Sequence, residues 1–490
     1  MKLSELLQHV RHGIVRGDAE RPVAGIAYDS RQVRPGYVFV AVPGEHHDGL
    51  EFVDDAMKRG ASTVVGTQAR FAAREVTHVQ VEDARRALAE LADAFHQHPS
   101  GRLLLAGVTG TNGKTTTTFL LHDILTAAGL APGLIGTVQY EVGARTIPAG
   151  RTTPQAVELQ AMLDQMLHAG CKGAVMEVSS HALDQQRVLG CEFDAVIFTN
   201  LTRDHLDYHG TMERYFEAKQ RLFLGLGEGT KKTSAIINID DPWGRRLAAD
   251  SRIQASVLRF GCGSDADVRA CDIRLHGQGS EFRVVGPWGE SRLHLALLGQ
   301  FNVMNALGAY TAARALGLED RLTVEALASR QTVPGRLEEI PTRRGWRVFV
   351  DYAHTDDALT NVLTTLRSQT PARLIVVFGC GGNRDRSKRP LMGEVAARLA
   401  DHAVLTSDNP RREEPRAIIA EIEAGFAGRG SHEVIEDRAR AIEAALRLAR
   451  EGDVVLIAGK GHESTQEFAN TIIPFDDRQV VRALLQTLES

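Results

Sequence analysis

The 490-residue sequence contains no run of about 18 apolar residues, the length a helix needs to cross a bilayer, so no membrane span is expected. Its first residues, MKLSELLQHVRHGIVRGD, alternate apolar and charged side chains without an apolar stretch, and no signal peptide is expected. Cysteine is scarce: Cys171, Cys191, Cys262, Cys271 and Cys380 are scattered, odd in number and free of any CxxC pair. That excludes a disulfide framework and a cysteine zinc site, and it fits reduced thiols in a cytoplasmic protein. Positive charge is not in excess. With 57 Lys and Arg against 62 Asp and Glu, the net charge of -5 gives no reason to expect a nucleic-acid partner, which usually requires a basic face. Internal repeats and low-complexity tracts are absent as well. What is present, 43% hydrophobic and 24% charged residues, suits a soluble globular chain. The length exceeds one core, and a prior of about 150 residues per domain suggests roughly three.

Three blocks are legible. Residues 1–98 are mixed: a strand-like run, YVFVAV (37–42), lies between turn signals, and the helical periodicity of DARRALAELADAFHQHP stops at Pro99. Residues 99–334 alternate strand and helix: RLLLAGVTG (102–110), helix 115–129, GLIG, helix 155–169, GAVMEV (173–178) and FDAVIF (193–198). Residues 335–490 repeat the theme: RVFVDY (347–352), a helix after Asp356, RLIVVFG (373–379), helix 390–400, HAVLTS (402–407), helices 415–426 and 438–450, and DVVLIAG (453–459). This alternation predicts an α/β fold with two parallel, doubly wound sheets, in which ligands bind at the strands' C-terminal ends.

Chemistry-bearing motifs fall at those ends. GVTGTNGKTT (107–116) joins an apolar strand to a helix. Its glycines allow a tight turn of backbone N–H groups around phosphate, Lys114 can reach the β- and γ-phosphates, and the Thr115 hydroxyl can ligate Mg²⁺. Five residues separate Gly107 from Gly113-Lys114 and two separate Gly110 from it, so the spacing is not the standard four. A glycine-rich turn with an exposed lysine is the plain alternative. Glu177 ends the next strand, followed by Ser179, and Asp204-His205 follow FDAVIFTN. A carboxylate and an imidazole on this edge can complete Mg²⁺ coordination around ATP, although an isolated His205 would more often be structural.

GTNGKTTT, EVSSHAL, TNLTRDHLDYHG, GQFNVMNALGA, PGRLE, DYAHTDDAL, DNPRREEP and GKGHE occur in the order found in the Mur ligases, and the chain resembles that family over nearly its whole length. The resemblance implies three domains: a UDP-substrate-binding domain (1–98), a central P-loop-type parallel-sheet ATPase domain (99–334), and a C-terminal Rossmann-like, doubly wound, amino-acid-binding domain (335–490). It implies ATP-dependent amide synthesis in peptidoglycan precursor assembly by a monomer, with small-molecule substrates. ATP would phosphorylate the D-glutamate γ-carboxylate of UDP-N-acetylmuramoyl-dipeptide, and an incoming amine would displace phosphate. By the match, Gly110, Thr111, Asn112, Gly113, Lys114, Thr115, Thr116, Asn302, Arg336 and Asp351 hold ATP. Thr115, Glu177, His205 and Lys219 hold two Mg²⁺ ions, Lys219 as a CO₂-derived carbamate. Without the resemblance, Lys219 in MERYFEAKQRLF reads as a solvated helix lysine.

For the UDP substrate the match implies Tyr28, Ser30, Thr152, Thr153, Ser179, Gln185 and Arg187. Glu45, His46 and His47 follow the uracil side by position only, and Arg151 stands where some relatives carry asparagine. For the amine it implies meso-diaminopimelate, held by Arg384, Asp408, Asn409, Pro410, Arg411, Gly459 and Glu463. A planar guanidinium suits the carboxylate that distinguishes this diamino diacid from lysine. DNPRREEP also reads as a charged helix entry, since Asp408 and Asn409 are good caps and Pro415 suits a first turn. The rival functions are a related amide ligase with another acceptor, such as a folylpolyglutamate synthase or the D-alanyl-D-alanine-adding enzyme, and a P-loop nucleotide switch.

Overall fold

The computed structural model describes residues 1–44, 47–68, 76–370 and 372–488. Among these residues three large sheets follow one another, each with its own apolar core. In the first, Gly25–Ala27, Tyr37–Val40, Thr63–Gly66 and Thr77–Gln80 run parallel, and Val15–Arg16 pairs antiparallel at the edge. Helix Ala84–Phe95 crosses it. Asp83 caps that helix by accepting from the Arg85 and Arg86 amides, which otherwise lack partners. Ala84, Ala87, Leu88, Leu91 and Ala94 form the stripe that packs on Val38, Val40, Val65 and Val79. The helix ends before Gln97 and His98, which adopt left-handed conformations with φ of 57° and 53°, and a short 3₁₀ turn, Pro99–Arg102, leads into the second body.

The second sheet has eleven strands. Leu104–Thr109 lies between Gly173–Glu177 and Ala195–Phe198, all parallel, with Glu177 opposite Val108 and Phe198 opposite Thr109. That register brings the phosphate loop, Glu177 and the chain after Phe198 to one edge. The sequence expectation stopped short of the far side of this sheet. Val268–His276, Gly279–Gly286 and Gly289–Leu295 form an antiparallel meander that extends it. One face of the meander, with Phe282, Val284, Leu293 and Leu295, packs with helix Gln300–Ala315, and its other face is wet. Half-buried strands of this kind show alternation rather than an apolar run, a weaker signal in sequence.

The third sheet has six strands in the order Glu338–Ile340, Arg347–Asp351, Val454–Ala458, Leu374–Phe378, His402–Leu405, His432–Val434, with only the first antiparallel. Asp351 lies opposite Ala458 and Phe378 opposite Leu405, so the loops carrying DYAH, GGNR, DNPR and GKGHE leave from one edge. A hairpin, Thr465–Phe468 with Thr471–Pro474, and helix Asp477–Leu488 complete the body. The helix after DNPRREEP begins at Pro415, so Asp408 and Asn409 stand outside it.

Helix Asp477–Leu488 is tied down by a fully buried fork. Arg438 donates from Nε to Asp477 Oδ1 at 2.8 Å and from a terminal nitrogen to Oδ2 at 2.7 Å, and the same nitrogen reaches the Ala458 carbonyl at 2.9 Å. Both side chains are 0% exposed. Arg438→Ala strands a buried carboxylate and is expected to cost about 3–5 kcal/mol. Urea unfolding of the full chain should show that loss, and a smaller one for the double variant Arg438→Leu/Asp477→Leu.

Candidate active site

Strand Leu104–Thr109, buried at all positions but the first, feeds a loop whose glycines cannot be replaced without collision. Gly110 has φ +147° and Gly113 φ +85°; a Cβ would lie 1.9 Å from Thr199 Oγ1 at the first and 2.2 Å from Asn305 Oδ1 at the second. Gly113 is also the N-cap of helix Lys114–Ala127 and makes no side-chain cap, which leaves the first-turn amides to a ligand. Lys114 Nζ donates to the carbonyls of Gly110 at 3.0 Å and Thr111 at 2.7 Å, and burial pushes its ammonium below the usual lysine range.

This loop floors a cleft of about 350 Å³ whose opposite wall belongs to the third body. Asn112 Nδ2 donates to Asp357 Oδ2 at 2.8 Å across the cleft, and Arg203 Nε lies 3.6 Å from Asp385 Oδ2. Arg336 reaches Thr115 Oγ1 at 2.8 Å and stacks 4.5 Å over the Tyr352 ring, while its Nε is buried without a hydrogen-bond partner among the described residues. An orphan cationic donor in the wall above a phosphate loop fits an anionic ligand. Asp351 is positioned differently: its oxygens accept from the Leu337 amide at 2.5 Å and the Ala353 amide at 2.7 Å, so it braces the PGRLE turn, and burial raises its pKa. Asn302 is 3% exposed and stands one layer back. It donates to the Leu298 carbonyl at 2.8 Å and accepts from Asn305 Nδ2 at 3.0 Å, and it is Asn305 that lines the cleft. Asn305, Asp357 and Tyr352 were not singled out from sequence. Asn305 sits one helical turn after Asn302, and that spacing was the signal available.

Glu177 accepts from Thr115 Oγ1 at 3.0 Å, the Thr137 amide at 2.8 Å and Thr137 Oγ1 at 2.9 Å. Thr111 and Thr116 share the cleft. His205 has φ 54°, and its Nε2 lies 3.3 Å from Asp204 Oδ2 and its ring 4.8 Å from that of His181. Burial pushes the His205 imidazole well below the histidine range, against the pull of Asp204, so the ring is neutral at neutral pH with a lone pair to offer. Burial alone would raise the Asp204 carboxyl, but its His205, His354 and Lys388 neighbours outweigh that and hold it below the usual carboxylate range.

Lys219 is 1% exposed, not the surface lysine its helix context suggests. Its Nζ donates to the Gly110 carbonyl at 2.8 Å and lies 4.7 Å from the centre of the Tyr215 ring. Among the described residues no carboxylate pairs with it. Burial, and then the neighbouring Lys114 charge, push its amine well below the lysine range. Likewise, among the described residues no three His, Cys, Asp or Glu side chains converge into a ready metal cage. One carboxylate and one hydroxyl, Glu177 and Thr115, fit Mg²⁺, which keeps several waters and takes phosphate oxygens.

Beside this cleft a second network links Thr152, Thr153, Ser179, Gln185 and Arg187. Thr152 Oγ1 lies 3.0 Å from Thr137 Oγ1, and Thr153 Oγ1 lies 3.3 Å from the Ser179 hydroxyl. Arg187 donates to the Thr153 carbonyl at 3.0 Å and to Gln185 Oε1 at 2.6 Å, and burial lowers its pKa to about 10. From the first body, Tyr28 donates to Glu158 at 2.9 Å, and burial raises the phenol's pKa. The Arg151 side chain is exposed. Ser30 is buried beside Asp55, and His47 is exposed, 3.4 Å from Glu51. Glu45 and His46 lie outside the described residues.

On the third body the DNPR and GKGHE loops interlock. Asn409 Nδ2 donates to Glu463 at 2.9 Å, and Lys460, fully buried, joins Asn409 Oδ1 at 3.0 Å to Glu463 at 2.8 Å. Gly459 has φ +117°, and a Cβ there would lie 2.5 Å from Asp408 Oδ2. The Pro410 carbonyl accepts from the Glu413 amide, and Arg411 donates to the Gly382 carbonyl at 2.8 Å and to Glu467 at 2.9 Å. Arg384 is exposed on the neighbouring loop, near enough to His181 for their charges to interact.

Comparison with known proteins gives this geometry a family. Residues 22–96 match the Mur ligase family catalytic domain, 108–313 the Mur ligase middle domain, and 335–461 the Mur ligase glutamate ligase domain. UDP-N-acetylmuramoyl-L-alanyl-D-glutamate–2,6-diaminopimelate ligase of Geobacillus kaustophilus is 45% identical over 99% of this chain and 99% of its own. A solved structure of a ligase of that name shares 34% identity with a TM-score of 0.71, covering 100% of this chain and 99% of the other. The fold extends to the MurF ligase of Thermotoga maritima in complex with ADP, at 21% identity, 94% and 97% coverage and a TM-score of 0.64. With all three bodies matched in order and a relative this similar end to end, the chain belongs to the Mur ligase family.

Proposed function

We propose that this enzyme joins meso-2,6-diaminopimelate to the D-glutamate γ-carboxylate of UDP-N-acetylmuramoyl-L-alanyl-D-glutamate, with ATP converted to ADP and phosphate. The observation that carries the reading is one cleft between two bodies. The phosphate loop with Glu177 lines it from the second body, Arg336, Tyr352 and Asp357 line it from the third, and Asn112–Asp357 and Arg203–Asp385 tie the two together, while the loops of the Asn409–Glu463 pair and Arg411 leave the same edge of the third sheet. The name and full-length similarity of the Geobacillus kaustophilus relative support the substrate assignment. We divide the chain into 1–98 for the UDP substrate, 99–334 for ATP and 335–490 for the amino acid. We place it in the cytosol, where its five free thiols would persist, as a monomer.

In this reading the substrate γ-carboxylate oxygen attacks the γ-phosphorus of ATP, ADP leaves, and an acyl phosphate results. The amine then attacks the acyl carbon, and phosphate and a proton leave as the amide forms. Lys114 and the unpaired Arg336 Nε supply positive charge where the transferring phosphate gathers negative charge. Thr153, Ser179, Gln185 and Arg187 hold the acceptor beside the loop, with Tyr28 and Ser30 taking the uridine end. Glu177 and Thr115 would hold one Mg²⁺, and His205 with carbamylated Lys219 a second, supplying charge neutralisation to the phosphates.

A coupled assay of phosphate release, run with each amino acid in turn, tests the proposal. Release is expected only when the UDP-dipeptide and meso-diaminopimelate are both present. ATP hydrolysis independent of either would instead identify a nucleotide switch, and turnover with a different amine would identify another ligase of the family.

A further inference from the structure

Arg411 is held in a costly conformation by a residue outside every motif that marks the site. Its φ is +52°, a left-handed backbone that a side chain of this size rarely adopts without support. The support is the hairpin strand Thr465–Phe468. The Arg411 amide donates to the Glu467 carbonyl at 3.0 Å, and Arg411 bridges to Phe468 in parallel register. The same residue then grips the side chain, since Arg411 Nε donates to Glu467 Oε2 at 2.9 Å. In turn the Glu467 amide donates to Asn409 Oδ1 at 3.0 Å. Glu467 is thus bonded to both ends of the NPR segment, by main chain and by side chain.

The chemistry of a guanidinium gives this arrangement a consequence. It can pair with a carboxylate along the edge that includes Nε or along the edge formed by its two terminal nitrogens. Glu467 fills the Nε position, and the Gly382 carbonyl takes one hydrogen of a terminal nitrogen at 2.8 Å. The terminal edge is the one left for a second carboxylate. Resting on the function proposed above, we infer that Glu467 is a positioning residue for diaminopimelate recognition. It presents Arg411 end-on to the distal carboxylate of the incoming amine and keeps the side-on geometry closed.

Steady-state kinetics of the full-length enzyme test this with Glu467→Ala and Glu467→Gln. Alanine removes the grip on Nε. It is expected to raise KM for diaminopimelate about tenfold, the loss of one charge-assisted hydrogen bond's worth of orientation, with kcat and the KM for ATP changed by less than about twofold. Glutamine keeps an oxygen acceptor for Nε and is expected to recover most of the loss. Three results would each overturn the inference: an unchanged KM in Glu467→Ala, a lowered KM, as expected if Glu467 merely competes with the substrate carboxylate, or a fall in kcat and melting temperature shared equally by both variants, as expected of a purely structural hairpin residue. Wild-type enzyme that ignores diaminopimelate altogether would overturn the underlying function instead, so the two failures can be told apart.

Discussion

Lys219→Ala is expected to lower kcat by about a thousandfold or more, the scale of removing a preorganised electrostatic group, while changing ATP affinity little. The lysine lies inside the protein with its nitrogen on the Gly110 carbonyl, beside Lys114, and without an ion-paired carboxylate among the described residues. A charged ammonium there is doubly disfavoured, by burial and by its cationic neighbour, with Asp204 offsetting only part of this, so the neutral amine is easier to reach than in an exposed lysine. The neutral amine is the form whose lone pair adds to CO₂. Addition forms the N–C bond and releases a proton, leaving a carbamate anion at the phosphate-loop edge, where it would attract Mg²⁺ that an ammonium would repel. Lys219→Arg keeps a long cationic side chain but cannot form the carbamate, and it should be as inactive as the alanine variant. Wild-type activity should fall in CO₂-depleted buffer and return with bicarbonate. Raising the pH should help carbamate formation until the amine is fully neutral and add nothing beyond that point. An unmodified Lys219 in well-resolved density, from enzyme that is fully active, would defeat this account.

Sequence revealed the elements whose signals are local and missed those whose meaning depends on partners. The strand-loop-helix at 102–129 announced itself by an apolar run, clustered glycines and a lysine, and the structure builds it as Leu104–Thr109 and Lys114–Ala127. The meander after Val268 exposes one face and so lacks the continuous apolar run that marked the other strands. Lys219 shows the same limit at the level of a side chain. Its helix exposes Glu213, Arg214 and Glu217, and nothing in that pattern states that the face holding Lys219 packs under the phosphate loop. Asn302 and Asn305 share a helix face, but only the packing of that helix against Gly113 decides which amide meets the cleft. Arg438 reads as one arginine among many, yet it is fully buried because Asp477, distant in sequence, meets it. Glu467 lies in a hairpin whose short strands gave no signal and whose importance comes from one partner, Arg411.

Wild-type enzyme is expected to prefer meso-diaminopimelate over L-lysine by about 10⁴-fold in kcat/KM, and Arg411→Ala is expected to remove most of that margin. The two amines differ by one carboxylate, so the preference must come from what the site does for that group and what it suffers without it. Arg411 is three-quarters buried, with Nε on Glu467 and one terminal nitrogen on the Gly382 carbonyl. The diacid's carboxylate would complete its hydrogen bonding, whereas lysine would leave a largely desolvated guanidinium edge facing a methylene. Truncation to alanine removes the cost of admitting lysine as well as the benefit of admitting the diacid. The variant should therefore lose most turnover with diaminopimelate without gaining an efficient reaction with lysine. Because Arg411 lies on the third body and the phosphate loop on the second, nucleotide affinity should be unchanged in the variant, which isothermal titration with ADP would show. Comparable wild-type kcat/KM for the two amines would remove the basis for a carboxylate-reading arginine, and a matching loss of ADP affinity in Arg411→Ala would point to a collapsed domain rather than a lost contact.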